Sequence, residues 1–533
     1  MIAARPMTRV CAPHHEGTAL ASTEKGHART VAKLPLQWCQ PGRQPDGQLR
    51  VLHVAAEVYP QVKTGGLGDI AAALPGALRA QGADAWLLVP GYPQIMDGLR
   101  HACQVADLGA CMGAARVQVL KGRLSVSDLP VYVLDAPWYF RRKGNPYLGP
   151  DHRDWPDNIQ RFALLGWVAA HLAWGDIDPA WQADILHAHD WHAGLAPVYL
   201  SLNPLRRVRS VFSVHNLIYQ GLFALEDAPE LALPPRLLRA GSARSLEYYG
   251  KGSFMKGGLA FADWLLTVSP RYAYEITTPM GGAGMEGVLL ARRDRLSGIL
   301  NGIDESVWNP RTDTWLAETY DRQTLHRKVT NKLDLQEAFG LTVDPDRMLA
   351  IVVSRLTDQK GADLILQALP KMQALGIQLV LLGSGDVGLQ DAFLQAAASA
   401  PDRIAVRLGY DEGLAHRLFG AGDLVLVPSR FEPCGLTQLY GLRYGTLPLV
   451  RNVGGLADTV NEHNDGYRAE NGFVFQHADA ADLTRALERA AALWADKEAW
   501  TSRMCIAMAA EHGWRPAASE YLALYHRLLS EPS

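Results

Sequence analysis

From residue 51 onward the sequence alternates short apolar runs, bounded by Gly, Pro or Asp, with longer stretches of helical periodicity, and it does so in two successive rounds. The first round places apolar runs at 51–56, 86–89, 131–134, 185–187, 211–214 and 264–268; the pattern restarts near Leu300 and continues at 349–353, 378–382, 404–407, 424–427 and 447–450. Runs this short and this uniformly apolar are the signature of strands buried on both faces, and their alternation with helices defines βαβ units around a parallel sheet. The expected fold is therefore α/β: two doubly wound, Rossmann-like domains facing across a cleft. A chain of 533 residues also exceeds what one core usually organises. The expected division is a poorly ordered extension at 1–49, one domain at 50–297, a second at 298–510, and a final helical segment at 511–533 that returns towards the first domain.

Charge and cysteine content narrow the class. A formal net charge of -3 provides no basic field of the kind that draws nucleic acid or an anionic membrane. The most apolar stretch, 162–174, contains His171 and is too short to span a bilayer, so it reads as a buried helix. Six scattered cysteines, without C-x-x-C pairs or zinc-like spacing, fit a reducing compartment and make a disulfide framework unexpected. The expected setting is the cytoplasm, with neither nucleic acid nor membrane as a partner.

Four segments carry chemistry. After the first strand, Lys63-Thr64-Gly65-Gly66-Leu67-Gly68-Asp69 precedes an Ala/Leu-rich helix. Gly65 and Gly66 allow close backbone approach, the helix start presents unpaired N–H groups, and Lys63 adds a mobile cation for a phosphate. Ser354-Arg355-Leu356-Thr357-Asp358-Gln359-Lys360-Gly361 puts two cations at the carboxyl end of a parallel strand, where they can neutralise a departing diphosphate without metal. In Arg430-Phe431-Glu432-Pro433-Cys434-Gly435-Leu436-Thr437, the amides of Gly435, Leu436 and Thr437 open a helix and can hold phosphate, while Glu432 can accept hydrogen bonds from sugar hydroxyls. His187-Ala188-His189-Asp190-Trp191-His192 ends another strand; because strand side chains alternate, it reads as sugar-binding and not as a metal site. Gly383-Ser384-Gly385-Asp386-Val387-Gly388 satisfies G-x-G-x-x-G, but the strand about 20 residues on ends in Arg407 and not in an acid, which keeps nucleotide binding and removes NAD. Asp176-Ile177-Asp178 matches D-x-D by chance placement beside Pro179.

Together with Asn301-Gly302-Ile303-Asp304, these motifs resemble, in order and from about residue 50 to the end, the bacterial glycogen synthase and plant starch synthase family. The resemblance implies a retaining, metal-independent transferase that adds glucose from ADP-glucose to the non-reducing end of glycogen or another α-1,4-glucan. No cofactor is expected beyond the ADP-glucose co-substrate. It implies that Lys63, Gly65 and Gly66 contact the donor, that Arg355 and Lys360 hold its diphosphate, and that Glu432 and His189 lie beside the transferring glucose. Asn301 and Asp69 become further donor contacts, with Gly383 and Gly385 on the nucleotide side and Tyr147 and Cys434 near the sugar. The wider family of two-domain retaining transferases often carries a second glutamate eight positions after the first; Tyr440 stands there, which suits the glycogen and starch synthase branch. Alternatives are UDP-glucose as donor, a catalytically silent glucan-binding scaffold, and a glucan phosphorylase, for which the chain is too short.

Overall fold

The computed structural model describes the backbone of Gln37–Trp38 and residues 47–532, apart from 152, 204, 206, 465 and 467. The expectation for residues 1–49 thus falls almost wholly outside the described residues. The chain divides into two compact units, one made of residues up to Ser210 with Gln220–Ala262, the other of Val211–Tyr219 with Asp263–Ser533.

The first unit is built on strands β1 (Gln37–Trp38), β2 (Arg50–Val54), β3 (Asp84–Pro90), β4 (Leu99–Cys111), β5 (Ala114–Leu124), β6 (Pro130–Asp135) and β7 (Ile185–His189). Their order across the sheet is β1-β4-β5-β6-β3-β2-β7. Val51, Leu52 and Val54 of β2 are fully buried, as its place between β3 and β7 requires. The chain thus leaves β2 for one neighbour and later returns to its other side, so a topological switch point lies at the carboxyl end of β2, where ligands of open α/β sheets bind. Helix α1 (Gly66–Ala80) follows β2, and α2 (Asn158–Ala173) is the buried apolar helix. The β4–β5 hairpin is antiparallel and was not expected. Cys103 on β4 is disulfide-bonded, which corrects the reading of the cysteines as all reduced: regular spacing is a signal of frameworks, and a single bond needs none.

The second unit holds β8 (Arg209–Val214), whose residues 211–214 pair in parallel with β9 (Trp264–Thr267), and β9 pairs with β10 (Leu296–Gly298). Its six-stranded parallel sheet comprises β11 (Leu349–Val353), β12 (Gln378–Gly383), β13 (Ile404–Leu408), β14 (Leu424–Val427), β15 (Leu447–Arg451) and β16 (Phe473–Phe475). The spatial order β13-β12-β11-β14-β15-β16 is the nucleotide-binding arrangement 3-2-1-4-5-6, with its switch point between β11 and β14. The last helix, α3 (Trp514–Ser530), places Arg527 over the Trp264 ring at 4.6 Å and Glu531, just past its end, in an ion pair with Arg295. Among the described residues no helix is long and apolar enough to cross a membrane.

Candidate functional site

Both switch points are furnished with the residues that the sequence singles out. In the first unit, Lys63 sits in the β2–α1 connection and donates to Asp69 at 2.8 Å. A Cβ added at Gly65 or Gly66 would meet nothing within 4 Å, so neither glycine is demanded by internal packing; the space above this backbone is open to a ligand. Part of the expected anion cradle is already filled. The carboxylate of Glu57 accepts from Thr64 N at 2.6 Å, Thr64 Oγ1 at 2.5 Å and Gly65 N at 3.3 Å, and also from the hydroxyl of Tyr147. Glu57 was missed in the sequence because its partners come from seven to 90 residues away. Burial, reinforced by the Glu57 charge, pushes the Tyr147 phenol well above its ordinary range, and its ring stacks on His192 at 4.5 Å.

His189 ends β7 and, contrary to the expectation from strand alternation, shares a face with His187, because residues two apart on a strand lie on the same face. His53 of β2 stands opposite His187 in the β2–β7 register, and its Nδ1 lies 3.0 Å from His189 Nε2. The three rings offer nitrogens within 4.8 Å of one another, the one such cluster among the described residues. Burial pushes His53 down to about 3, so its ring is neutral. A hydrogen bond thus joins the His53 and His189 rings, and the His187 ring stacks on that of His189 at 4.2 Å. Asp190, next in the chain, holds a φ of 59°, a strained value for a residue that is not glycine. Asp178 of the D-x-D is committed to Lys121 at 3.0 Å and Tyr132 at 2.8 Å.

In the second unit, Lys360 Nζ donates to Glu432 Oε2 at 2.5 Å, and Ser429 Oγ donates to the same oxygen at 2.9 Å. Arg355, Lys360 and Thr437 line one recess with Ser354 and Ser429 at the carboxyl ends of β11 and β14. Arg355 is exposed and has no ion-pair partner among the described residues, so its guanidinium is available to an incoming anion. Gly435, at φ 73°, turns the chain into the helix at Thr437–Tyr444, with Leu436 as its cap. Cys434 is buried, which pushes its thiol up to about 12, and Asn301 donates to it. Asn301 itself is buried, with its Oδ1 unpaired. Gly383 and Gly385 have a packing reason: an added Cβ would lie 2.0 Å from Ser354 O and 2.2 Å from Leu356 O. They let the β12 connection lie against the segment that carries Arg355. His215, at the end of β8, was passed over in the sequence; burial pushes it down to about 4.

Two nucleotide-type switch points, one bearing a paired lysine and glutamate beside an open guanidinium, define a glycosyltransferase of the two-domain, doubly wound class. Residues 50–291 match the family model described as starch synthase catalytic domain, and residues 335–503 match glycosyl transferases group 1. The chain is 51% identical over 488 residues to the glycogen synthase of Edwardsiella ictaluri, covering 90% of this chain and 100% of that one. It is 49% identical to the glycogen synthase of Variovorax paradoxus, covering 90% and 99%. The catalytic domain of starch synthase IV from Arabidopsis thaliana bound to ADP and acarbose superposes with a TM-score of 0.81 at 32% identity, covering 91% of this chain and all of that chain. The chain belongs to the glycogen synthase and starch synthase family, and it is a glucosyltransferase of α-glucan synthesis. A sucrose-phosphate synthase from Thermosynechococcus elongatus shares the fold at 16% identity, with a TM-score of 0.56.

Proposed function

We propose that the chain transfers glucose from ADP-glucose, with retention, to the non-reducing end of an α-1,4-glucan such as glycogen, releasing ADP in the cytoplasm without a metal or other cofactor. The observation that carries this reading is the recess at the β11–β14 switch point, where Arg355 stands open beside the Lys360–Glu432 pair. As the bond from the anomeric carbon to phosphate breaks, negative charge grows on the diphosphate and positive charge on the sugar. In this reading Arg355 takes the diphosphate bidentately and Lys360 meets it as a point charge, which is the work a metal does in other transferases. The amides of Gly435, Leu436 and Thr437 add a helix start to the same anion. The leaving phosphate oxygen then accepts the acceptor hydroxyl's proton while that hydroxyl attacks on the same face, so Glu432 serves to position the sugar and not as a separate base. Lys63, Asp69, His189, Asn301 and Tyr147 complete the donor and sugar contacts in this reading, and the ADP in the Arabidopsis structure favours adenine as the base.

Incubating the purified protein with glycogen and either ADP-glucose or UDP-glucose, in the presence of chelator, tests all parts at once. ADP release with glucan elongation is expected. UDP release would move the donor, arrest by chelator would restore a metal, and release from neither donor by a protein that still binds glycogen would leave a scaffold.

A further inference from the structure

A second recess in the first unit shares Lys63 with the proposed donor contacts, while the rest of its lining serves none of these roles. It is a cavity of about 190 Å³ to which the connections after β2, β3 and β6 contribute Gln61, Lys63, Tyr92 and Arg142, with Trp155 and Arg161 of α2 and its approach. Those connections leave the carboxyl ends of parallel strands, the edge at which α/β sheets bind ligands. One of the cations at it lacks a direct carboxylate partner. Lys63 is paired with Asp69, and Arg142 with Asp157 at 2.9 Å. Arg161 is only 2% exposed, yet it has no carboxylate within ion-pair distance among the described residues. It donates instead to Pro146 O at 3.1 Å and Asn158 Oδ1 at 2.7 Å, and its Nε has no partner. Three cations, Lys63, Arg142 and Arg161, thus face three carboxylates, Asp69, Asp157 and Glu57, but Arg161 is the one without an ion pair among the described residues. The Glu57 carboxylate is taken up by Thr64, Gly65 and Tyr147. Burial, with the neighbouring Arg142 charge, holds the Arg161 guanidinium below its ordinary range.

Unused hydrogen-bonding groups converge on the same cavity. The hydroxyl of Tyr92, a residue 6% exposed, is buried without a partner, as are both amide atoms of Gln61. Orphaned buried polar groups are rare enough to call for an occupant. Trp155 adds an aromatic face, with Arg142 at 4.2 Å and Arg161 at 5.9 Å from its ring. The volume lies below the roughly 300–1,000 Å³ of pockets that hold drug-sized ligands, which fits one sugar ring bearing one phosphate.

We propose that this cavity binds a small sugar phosphate, its phosphate between Arg142 and Arg161 and its hydroxyls on Tyr92 and Gln61, separately from the recess of Arg355 and Lys360. Titration calorimetry on the full chain with glucose 1-phosphate, glucose 6-phosphate, inorganic phosphate and glucose tests it. Both or either sugar phosphate should bind at one site per chain, inorganic phosphate at least tenfold more weakly, and glucose not at all. Tyr92→Phe should leave the melting temperature unchanged or higher while weakening sugar phosphate several-fold, and Arg142→Gln should weaken it tenfold or more. Lys360→Ala, which disables the proposed donor site, should leave this binding intact. Inorganic phosphate binding as tightly as the sugar phosphates would overturn the sugar part. No binding at millimolar concentration, or binding lost in Lys360→Ala and untouched by Tyr92→Phe and Arg142→Gln, would overturn the whole.

Discussion

Lys360 is the side chain whose two roles, holding Glu432 and meeting an anion, separate most cleanly by mutation. Glu432 keeps Ser429 as a donor when the lysine is removed, and the lysine side chain itself is 20% exposed, so the fold has little invested in it. Lys360→Ala should therefore lower kcat/KM by about 10²–10³-fold, the scale of losing one preorganised group facing developing charge. Its thermal unfolding transition should persist, displaced by only a few degrees; loss of that transition would make the lysine a structural residue. Cys434 offers a second check. With burial pushing its thiol up to about 12, almost no thiolate exists at pH 8, so iodoacetamide should label it far more slowly than the partly exposed Cys505, as peptide mass spectrometry can follow. Arg355, Lys360 and Glu432 were legible in the sequence because each follows a strand within a short local motif. Glu57 and His53 were not, since what makes them notable is a partner brought from far along the chain by the sheet: Tyr147 for one, His189 for the other.

Glycines distinguish what the elements need from what a ligand needs. At Gly385 an added methyl would sit 2.2 Å from a backbone carbonyl that cannot move aside, whereas at Gly66, the first residue of α1, it would meet open space. Gly385→Ala should cost about 2 kcal/mol or more, as overpacking against a fixed neighbour does. Gly66→Ala should hold or raise stability, since alanine is the better helix former by up to ~1 kcal/mol, yet raise KM for the nucleotide sugar. Denaturant melts of both variants beside their kinetics decide the matter; a Gly66→Ala protein with unchanged KM would remove that turn from the donor site. Apart from β1, β10 and β16, each three residues or fewer, the parallel strands were readable to within two residues because burial on both faces forces continuous apolar runs, as in β11, Leu-Ala-Ile-Val-Val. The β4–β5 hairpin was not, because β4 is largely exposed or half-buried along its length, and its sequence mixes Arg, His, Gln, Asp and Gly.

At the scale of the whole molecule, stability should depend on acid through histidines buried as neutral rings, His53 and His215, and through carboxylates that the second unit holds by hydrogen bonds. Asp313 is the clearest. Burial works to raise its pKa, but donation from His416 at 2.7 Å, Tyr444 at 2.6 Å and the Trp315 amide outweighs it, and the carboxyl is held below the ordinary range. Trp308 covers the His416 ring at 3.8 Å, closing the group off. A carboxyl whose folded pKa lies below its unfolded one contributes stability that is fully present above the unfolded value, near 4, and lost as pH falls through the folded value. Arg430 lowers Asp363 in the same sense, and Arg489 with the Val474 amide does so for Glu462 against the opposing effect of burial. The melting temperature should therefore begin to fall below about pH 6.5, where unfolding lets His53 and His215 take up protons that the fold denies them, and fall more steeply below 4. Asp313→Asn keeps the shape of the side chain and removes its titration, so that variant should melt lower at pH 7 but lose less on acidification than the parent. Parallel melting curves for the two proteins across the whole pH range would mean that Asp313 keeps its proton affinity on unfolding and that the acid transition lies elsewhere.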